Sequence, residues 1–421
     1  MYRVSNFVTR FALGLLAGAL IATFWANLAP QGYADFVELR LSDNAYIGYP
    51  NPDSTLAFGR TLTLGYLAGE ALMSLFFLYI GKEVWEALVL KNGALRGKKA
   101  IAPLVTALTA AAIPALIYAL LAPFVSLPDL PTTFAGWPIP VAGDVALSYV
   151  IARMVLGPGH PALRFLLLVT IADDILGLLL TGIAYPAGEL HLLWLLLPLA
   201  AAVLAYVVLN WLPRWLDGSD PLRPASSFMR HRVGLWPYAF AAIVSWWGTE
   251  QAGMMPALGL LPIIPAIPHA DRAFGVFSAA EEMLADPLNR IAHHLVWPVT
   301  AVLFLFGLTH GGVALTAADT VTAAVAVALM AGKPLGFVLG ARIARRVFRR
   351  DLPAGMSRAD LLTVGFAAAG GFTVPLFAIG ATLPDGVLQD GARLGLVVSL
   401  IFAAVSARVI RTVSRGSEDN A

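Results

Sequence analysis

The chain has 421 residues, of which 58% are hydrophobic and only 13% are charged, with a net charge of +2 and no cysteine. A soluble globular domain carries about 25% charged residues, so this composition predicts a helical membrane protein with several spans. It excludes disulfides, thiolate metal sites and cysteine nucleophiles, and the small net charge gives no indication of a nucleic-acid partner.

Apolar runs separated by polar or Pro/Gly-rich breaks predict twelve membrane spans. Their approximate centres are Leu15, Leu78, Ala111, Ala146, Ile175, Ala201, Ala241, Gly259, Leu303, Ala331, Phe372 and Leu400. The seventh and eighth are short, and prolines interrupt the eighth. The first apolar run follows Arg3 and Arg10, but no small-x-small cleavage site follows it, so we interpret it as a span rather than a signal peptide.

The positions of the basic residues support twelve spans with both termini in the cytoplasm. In that arrangement nearly all lysines and arginines lie on the cytoplasmic side, as the positive-inside rule requires. The exceptions are Arg40, Arg60 and Arg393 outside, and Lys333 within the membrane. A basic stripe from Arg342 to Arg350 follows the tenth span and is typical of a topology anchor or a lipid-headgroup contact.

The predicted organisation is one transmembrane domain over residues 1–411 and a cytoplasmic polar tail over 412–421, which we expect to be disordered. The longest outside segment, residues 29–60, has a turn-like composition that includes Tyr46, Asn51, Pro52 and Asp53. It is compatible with a small hairpin or with a cover over the outer surface.

Few ionisable residues interrupt the apolar runs. Asp144 lies in the fourth span, Asp173 and Asp174 lie in the fifth, and Lys333 lies in the tenth. Glu70 and Glu83 lie toward the two ends of the second. A charge at the bilayer centre costs about 3 kcal/mol on insertion scales, so such residues indicate ion or proton pathways.

Two spans contain helix breakers beside polar residues. Trp137-Pro138-Ile139-Pro140 precedes Gly143 and Asp144, and Gly370-Gly371-Phe372-Thr373-Val374-Pro375 lies in the eleventh span. Prolines remove backbone donors, so both helices are predicted to be discontinuous near mid-membrane. Their positions suggest inverted repeats of spans three to five and ten to twelve, with the fourth and eleventh crossing.

If the broken helices cross, the carboxylate of Asp144 would compensate the partial positive charge of their amide ends. The ammonium of Lys333 would compensate the partial negative charge of their carbonyl ends. Alternatively, both are electrostatic plugs without a role in transport. Asp173 and Asp174 are about 100° apart on a helix, so one can face Lys333 while the other faces a water-filled cavity.

An acid–lysine pair of this kind can release a proton when a hard cation arrives, with Asp174, backbone carbonyls and water as ligands. The alternative is a structural acid pair capped by hydroxyls such as Thr170. Sparse, unclustered histidines argue against any metal site beyond the transported ion.

Five motifs carry a resemblance to a known family. They are Ala172-Asp173-Asp174, Trp137-Pro138-Ile139-Pro140 before Asp144, Gly332-Lys333-Pro334-Leu335-Gly336, Gly371-Phe372-Thr373, and Phe76-Phe77-Leu78 with Gly81 and Glu83-Val84. In their order along nearly the whole chain, these motifs resemble those of the bacterial NhaA-type sodium/proton antiporters.

The resemblance implies electrogenic exchange of Na⁺ or Li⁺ for H⁺ by alternating access, in a homodimeric inner-membrane protein that is not an enzyme and has no cofactor. It implies that Asp174 is the principal ion carboxylate, that Asp173 pairs with Lys333, and that Asp144 matches the aspartate of the fourth span. Dimerisation is expected through residues 29–60, and the lipid bilayer is the other partner. Thr373, Thr170 and Gly143 are possible supports of the site.

The sequence also departs from the family's pattern. Gly143 stands where the best-known members have a threonine, which removes a possible hydroxyl ligand. Ala87, Ala292 and Glu250 replace residues that the family links to activation by pH. We therefore expect an altered pH dependence, with Glu83, Glu70 and Glu250 as possible regulatory residues.

Two other functions remain as alternatives. A sodium-coupled organic-anion symporter of similar fold would need an apolar pocket with a basic or amide anchor, whereas Lys333 beside two aspartates suits small cations better. An intramembrane aspartyl protease is suggested only by Gly143-Asp144 and by Pro-Ala-Leu tripeptides at 114, 161 and 256.

Overall fold

The computed structural model describes residues 6–51, 59–125, 134–186, 190–270, 272–273, 276–280, 284 and 286–418. The helices in chain order are α1 (Phe7–Leu28), α2 (Pro30–Val37), α3 (Leu64–Val89), α4 (Ile101–Leu121), α5 (Val145–Leu156), α6 (Pro161–Ala184), α7 (Leu192–Asp217), α8 (Pro224–Phe228), α9 (Trp236–Gln251), α10 (Pro287–His310), α11 (Thr320–Arg346), α12 (Arg358–Ala367), α13 (Thr373–Thr382) and α14 (Val387–Glu418). Short 3₁₀ helices cover Pro256–Leu258 and Leu261–Ala266.

Eight apolar helices within the described ranges are long enough to cross a membrane. They correspond to predicted spans one, two, three, five, six, nine, ten and twelve, so the helical membrane architecture is confirmed. The other four predicted spans correspond to shorter pieces: α5, α9, the two 3₁₀ helices, and α12 with α13. The count of twelve spans and the crossing of two of them stay predictions.

Both predicted helix breaks fall where the sequence has proline or glycine. Residues 135–141 form turns, and α5 begins only after Asp144. Helix α12 ends at Ala367, and residues 368–372 are not helical before α13 begins at Thr373. Pro375 lies in the first turn of α13, where a helix needs no amide donor, so it starts this helix without breaking it.

Residues 29–60, which are predicted to lie outside, contain more structure than a simple hairpin. This segment comprises α2 and a three-stranded antiparallel sheet of order β1-β3-β2, with β1 (Arg40–Asn44), β2 (Tyr49–Pro50) and β3 (Arg60–Thr63). The sheet pairs Arg40 with Thr63, so it extends beyond residue 60. Pro52 and Asp53 lie outside the described residues. We call this side of the molecule the sheet end.

The tail differs from its prediction. Helix α14 continues through Glu418, so residues 412–418 are helical rather than disordered. The polar composition of a tail does not prevent a preceding helix from continuing by its own backbone hydrogen bonds, since propagation adds one bond for each residue ordered.

Three glycines hold α11 tightly against α4. A Cβ atom at Gly332, Gly336 or Gly340 would lie 2.5 or 2.6 Å from a backbone atom of α4. The hydroxyl of Thr109 donates to the carbonyl of Gly336 at 2.7 Å. Small residues at four-residue spacing allow such a close approach of membrane helices. This packing fixes the helix that carries Lys333.

Candidate functional site

The centre of the site is an ion pair between α11 and α6. The Lys333 ammonium donates to Asp173 Oδ2 at 2.6 Å and to the backbone carbonyl of Val141 at 2.7 Å. Both charged side chains are fully buried. Burial of two charges is tolerated only with close pairing and further hydrogen bonds, and the Val141 carbonyl supplies one of these.

The second aspartate is buried but lacks such a pairing. Asp174 is only 4% exposed. Within the described part of the chain, neither Asp173 Oδ1 nor Asp174 Oδ1 accepts a hydrogen bond. Leaving a buried acceptor unsatisfied costs about 1–3 kcal/mol, and more when it is charged. This arrangement can therefore gain stability by taking up a proton or a hard cation.

Asp144 joins the two broken segments. Its Oδ1 accepts the Leu147 amide at 2.7 Å and so caps α5. Its Oδ2 accepts the Thr373 amide at 3.1 Å, and it also accepts the Thr373 hydroxyl. A single carboxylate thus satisfies the first amides of two helices, where the positive ends of their dipoles favour negative charge.

The remaining predicted supports lie in different settings. A Cβ on Gly143 would come within 3.1 Å of the Ala368 carbonyl and 3.9 Å of the Lys333 Nζ, so glycine leaves space there. The Thr170 hydroxyl donates to the Leu166 carbonyl at 3.0 Å, within its own helix. Its hydrogen is therefore committed to the backbone and caps neither aspartate.

Two cavities lie near the opposite ends of α3. One of about 690 Å³ lies beside the N-terminus of α1, opposite the sheet end, and its lining includes Arg10, Glu83, Arg153 and His293. The other, of about 550 Å³, lies at the sheet end and is lined in part by Glu70, Glu250 and His310. Neither cavity has Asp173 or Asp174 in its lining.

The three predicted regulatory carboxylates are not brought to the aspartate pair. Glu250 accepts from Arg60 of β3 and from the Tyr66 hydroxyl, which fastens α9 to the sheet. Glu70 lies in a π-helical stretch of α3 and accepts the Ala257 amide at 3.4 Å. Glu83 is in the other cavity. The structure therefore separates these residues between the two ends of the molecule.

A second buried lysine was missed by the sequence-based prediction, which assigned it to a cytoplasmic group. Lys82 lies 3.0 Å from Glu83 and 2.9 Å from Glu86, and all three side chains are almost fully buried. Glu83 also accepts the Phe277 amide, and Glu86 accepts from Asn289 at 3.3 Å. The spacing of Lys82 and Glu86, four residues apart on a helix, was the available signal.

Replacing Lys82 with methionine is expected to lower the free energy of unfolding by about 3 kcal/mol at neutral pH, because two buried carboxylates lose their shared cation. Thermal unfolding of the purified protein measures this effect. Lys99→Met, at an exposed position, serves as the control. Equal unfolding temperatures for the two variants would contradict the prediction.

Among the described residues, no group of three or more histidine or acidic side chains is arranged to hold a metal ion. The chemistry available at the centre is therefore that of two carboxylates, one ammonium and backbone carbonyls. Such groups exchange protons and coordinate hard cations.

Comparisons with known proteins agree over the whole chain. The profile of the family described as Na+/H+ antiporter 1 matches residues 6–410. The chain is 49% identical to "Na(+)/H(+) antiporter NhaA" of Jannaschia sp. (strain CCS1), over 96% of this chain and 97% of the relative. It is 36% identical to "Na(+)/H(+) antiporter NhaA 2" of Pelobacter propionicus, over 95% of each chain.

A solved structure supports the fold. The sodium proton antiporter MjNhaP1 from Methanocaldococcus jannaschii, determined at pH 8, superposes with a TM-score of 0.50 at 15% identity, over 96% of this chain and 92% of that one. At this identity the likeness concerns the fold alone. The family profile and the relatives extend over nearly every residue, and the chain therefore belongs to the Na+/H+ antiporter 1 family.

Proposed function

We propose that this protein exchanges Na⁺ or Li⁺ for H⁺ across the bacterial inner membrane by alternating access. The observation that carries the proposal is the buried Asp173–Asp174–Lys333 cluster, in which each aspartate has one carboxylate oxygen without a donor among the described residues. A purely structural ion pair gains nothing from a second, unpaired acid beside it. The named relatives are Na⁺/H⁺ antiporters, which supports the same reaction here.

In this mechanism Asp174 binds the cation, and Asp173 with Lys333 holds an exchangeable proton. A Na⁺ ion entering the cluster adds positive charge beside the Lys333 ammonium in a medium of low dielectric constant. Repulsion between the two cations favours loss of a proton from the cluster. The cation and the proton thus exclude each other from the cluster, and each one's binding promotes release of the other.

Electrogenic exchange follows if the cluster releases more positive charge as protons than it takes up as Na⁺. The test uses the purified full chain in proteoliposomes with a pH-sensitive dye, over a range of pH. We expect a Na⁺ or Li⁺ gradient to move protons, and a K⁺/valinomycin potential to change the rate. Proton movement that ignores the potential would contradict electrogenicity. Na⁺ uptake together with an organic anion, without counter-movement of protons, would instead indicate a symporter.

The topology proposed for this transporter has twelve spans, with both termini in the cytoplasm. Eight long apolar helices and four shorter helical segments follow one another along the chain in the order of the twelve predicted spans, which supports this proposal. The shared capping of α5 and α13 by Asp144 is compatible with two broken helices that cross. A C-terminal reporter that is active only in the periplasm tests the sidedness. We expect no signal, and a strong one would refute this topology.

We further propose a homodimer formed through the sheet end. Strands β1 and β2 are the edges of the sheet, and exposed strand edges offer unpaired backbone groups to a second chain. Native mass spectrometry of the purified protein should give twice the chain mass. A monomer at all detergent concentrations would exclude this proposal.

A further inference from the structure

A groove lies between the end of α11 and the start of α12, far in the chain from the aspartates. It has a volume of about 1000 Å³. Its lining consists of arginines, apolar side chains and one carboxylate: Val338, Ala341, Arg342, Arg345, Arg346, Asp351, Leu352, Met356, Arg358, Leu361 and Leu362. We call it the arginine groove. The exchange mechanism above uses none of these residues.

The exposed face of α11 continues the groove along the helix. Leu335, Leu339, Arg342 and Arg346 are separated by four, three and four residues, so they lie on one face. All four are exposed, with Leu335 at 56% and Leu339 at 39%. Seven residues from Leu335 to Arg342 correspond to about 10 Å along the axis. This face is therefore apolar along its length and cationic at its end.

The charge of the groove is strongly positive. The lining contains four arginines but a single carboxylate, that of Asp351. The arginines are Arg342, Arg345, Arg346 and Arg358. Asp351 pairs with Arg345 Nε at 3.3 Å, and both side chains are largely exposed, so this pair contributes little. Nearby Asp360 is occupied elsewhere, since it caps α12 through Ser357 and accepts from Arg411 at 3.1 Å.

We propose that the arginine groove binds an anionic phospholipid. The phosphate would lie against Arg342, Arg346 and Arg358, whose guanidinium groups match phosphate geometry. One acyl chain would lie along Leu335 and Leu339. A simple topology anchor needs only charge at headgroup depth, whereas this site combines that charge with a concave apolar wall and an apolar stripe leading into the bilayer.

The test measures lipid retention by the full chain in native mass spectrometry. The purified protein is mixed with phosphatidylglycerol or with phosphatidylcholine of the same acyl chains. We expect preferential retention of phosphatidylglycerol, weakened about 25-fold in the double variant Arg342→Gln/Arg346→Gln, at about fivefold for each arginine near an anionic headgroup. The matched control is Lys98→Gln/Arg408→Gln, which removes two exposed cations elsewhere and should retain the lipid.

Two further arms distinguish the possible outcomes. Adding glycerol 3-phosphate should not displace phosphatidylglycerol, because the soluble headgroup lacks the acyl chain. Two properties should be unchanged in the double variant: Na⁺/H⁺ exchange in proteoliposomes, and the unfolding temperature in lipid-free detergent. These controls separate lost lipid binding from misfolding. Equal retention of both lipids by the parent protein would overturn the proposal. An equal loss of phosphatidylglycerol retention in the double variant and in its control would also overturn it.

Discussion

Replacing Asp174 with asparagine is expected to reduce Na⁺-driven proton movement to the level of protein-free liposomes. The amide keeps the size of the side chain but supplies no negative charge to a hard cation and takes up no proton near neutral pH. Asp174 is buried, and its Oδ1 has no donor within the described ranges. The side chain is therefore poised to bind an ion rather than to hold the fold together. Dye-based exchange in proteoliposomes measures the loss.

Stability separates this role from a structural one. Removing an unpaired buried charge should leave the unfolding temperature of Asp174→Asn unchanged or raise it, since the desolvation cost of that charge is removed. Asp390→Asn, a matched change near the start of α14 on a half-exposed side chain, should leave exchange intact. Robust exchange by Asp174→Asn would refute the assignment. A large fall in its stability would indicate a structural acid instead.

Replacing Lys333 with alanine is expected to lower the free energy of unfolding by about 3–5 kcal/mol, the usual cost of removing one partner from a buried ion pair. Asp173 would be left charged in the interior, and the Val141 carbonyl would lose its donor. The glycine contacts between α11 and α4 do not involve the lysine side chain, so the helix itself should stay packed. Unfolding of the purified protein by heat or denaturant measures the loss.

A double variant separates the two consequences of losing this lysine. Asp173→Asn/Lys333→Met removes both charges and should recover most of the stability, because neutral side chains of similar volume replace a buried pair at little cost. Exchange should still respond less to the membrane potential than in the parent protein. Lys98→Ala, at an exposed position, controls for the loss of any lysine. If the single and double variants are equally unstable, the pair does not act as a unit.

The sequence by itself determined the class of protein and the residues that required an explanation. Membrane helices are encoded locally, since each span must be apolar and must satisfy its own backbone groups. For the same reason, charges that are costly to bury in a span and residues that break its helix can be recognised without a structure. The charges are those of Asp173, Asp174 and Lys333, and the breaks lie at Pro138, Pro140, Gly370 and Gly371. The motif order also placed the chain in its family, which the comparisons confirm.

The tertiary structure brings together residues that are far apart in the sequence. The family resemblance implied that Asp173 pairs with Lys333, 160 residues away, but the contact of Asp144 with Thr373 across 229 residues was visible only in the structure. The burial of the Glu83–Lys82–Glu86 cluster and the link from Glu250 to Arg60 also depend on how helices, loop and sheet pack. Hydrophobicity specifies that a segment lies in the membrane but leaves its rotation and neighbours open. Helix–helix packing fixes these, as the three glycines of α11 do where that helix lies against α4.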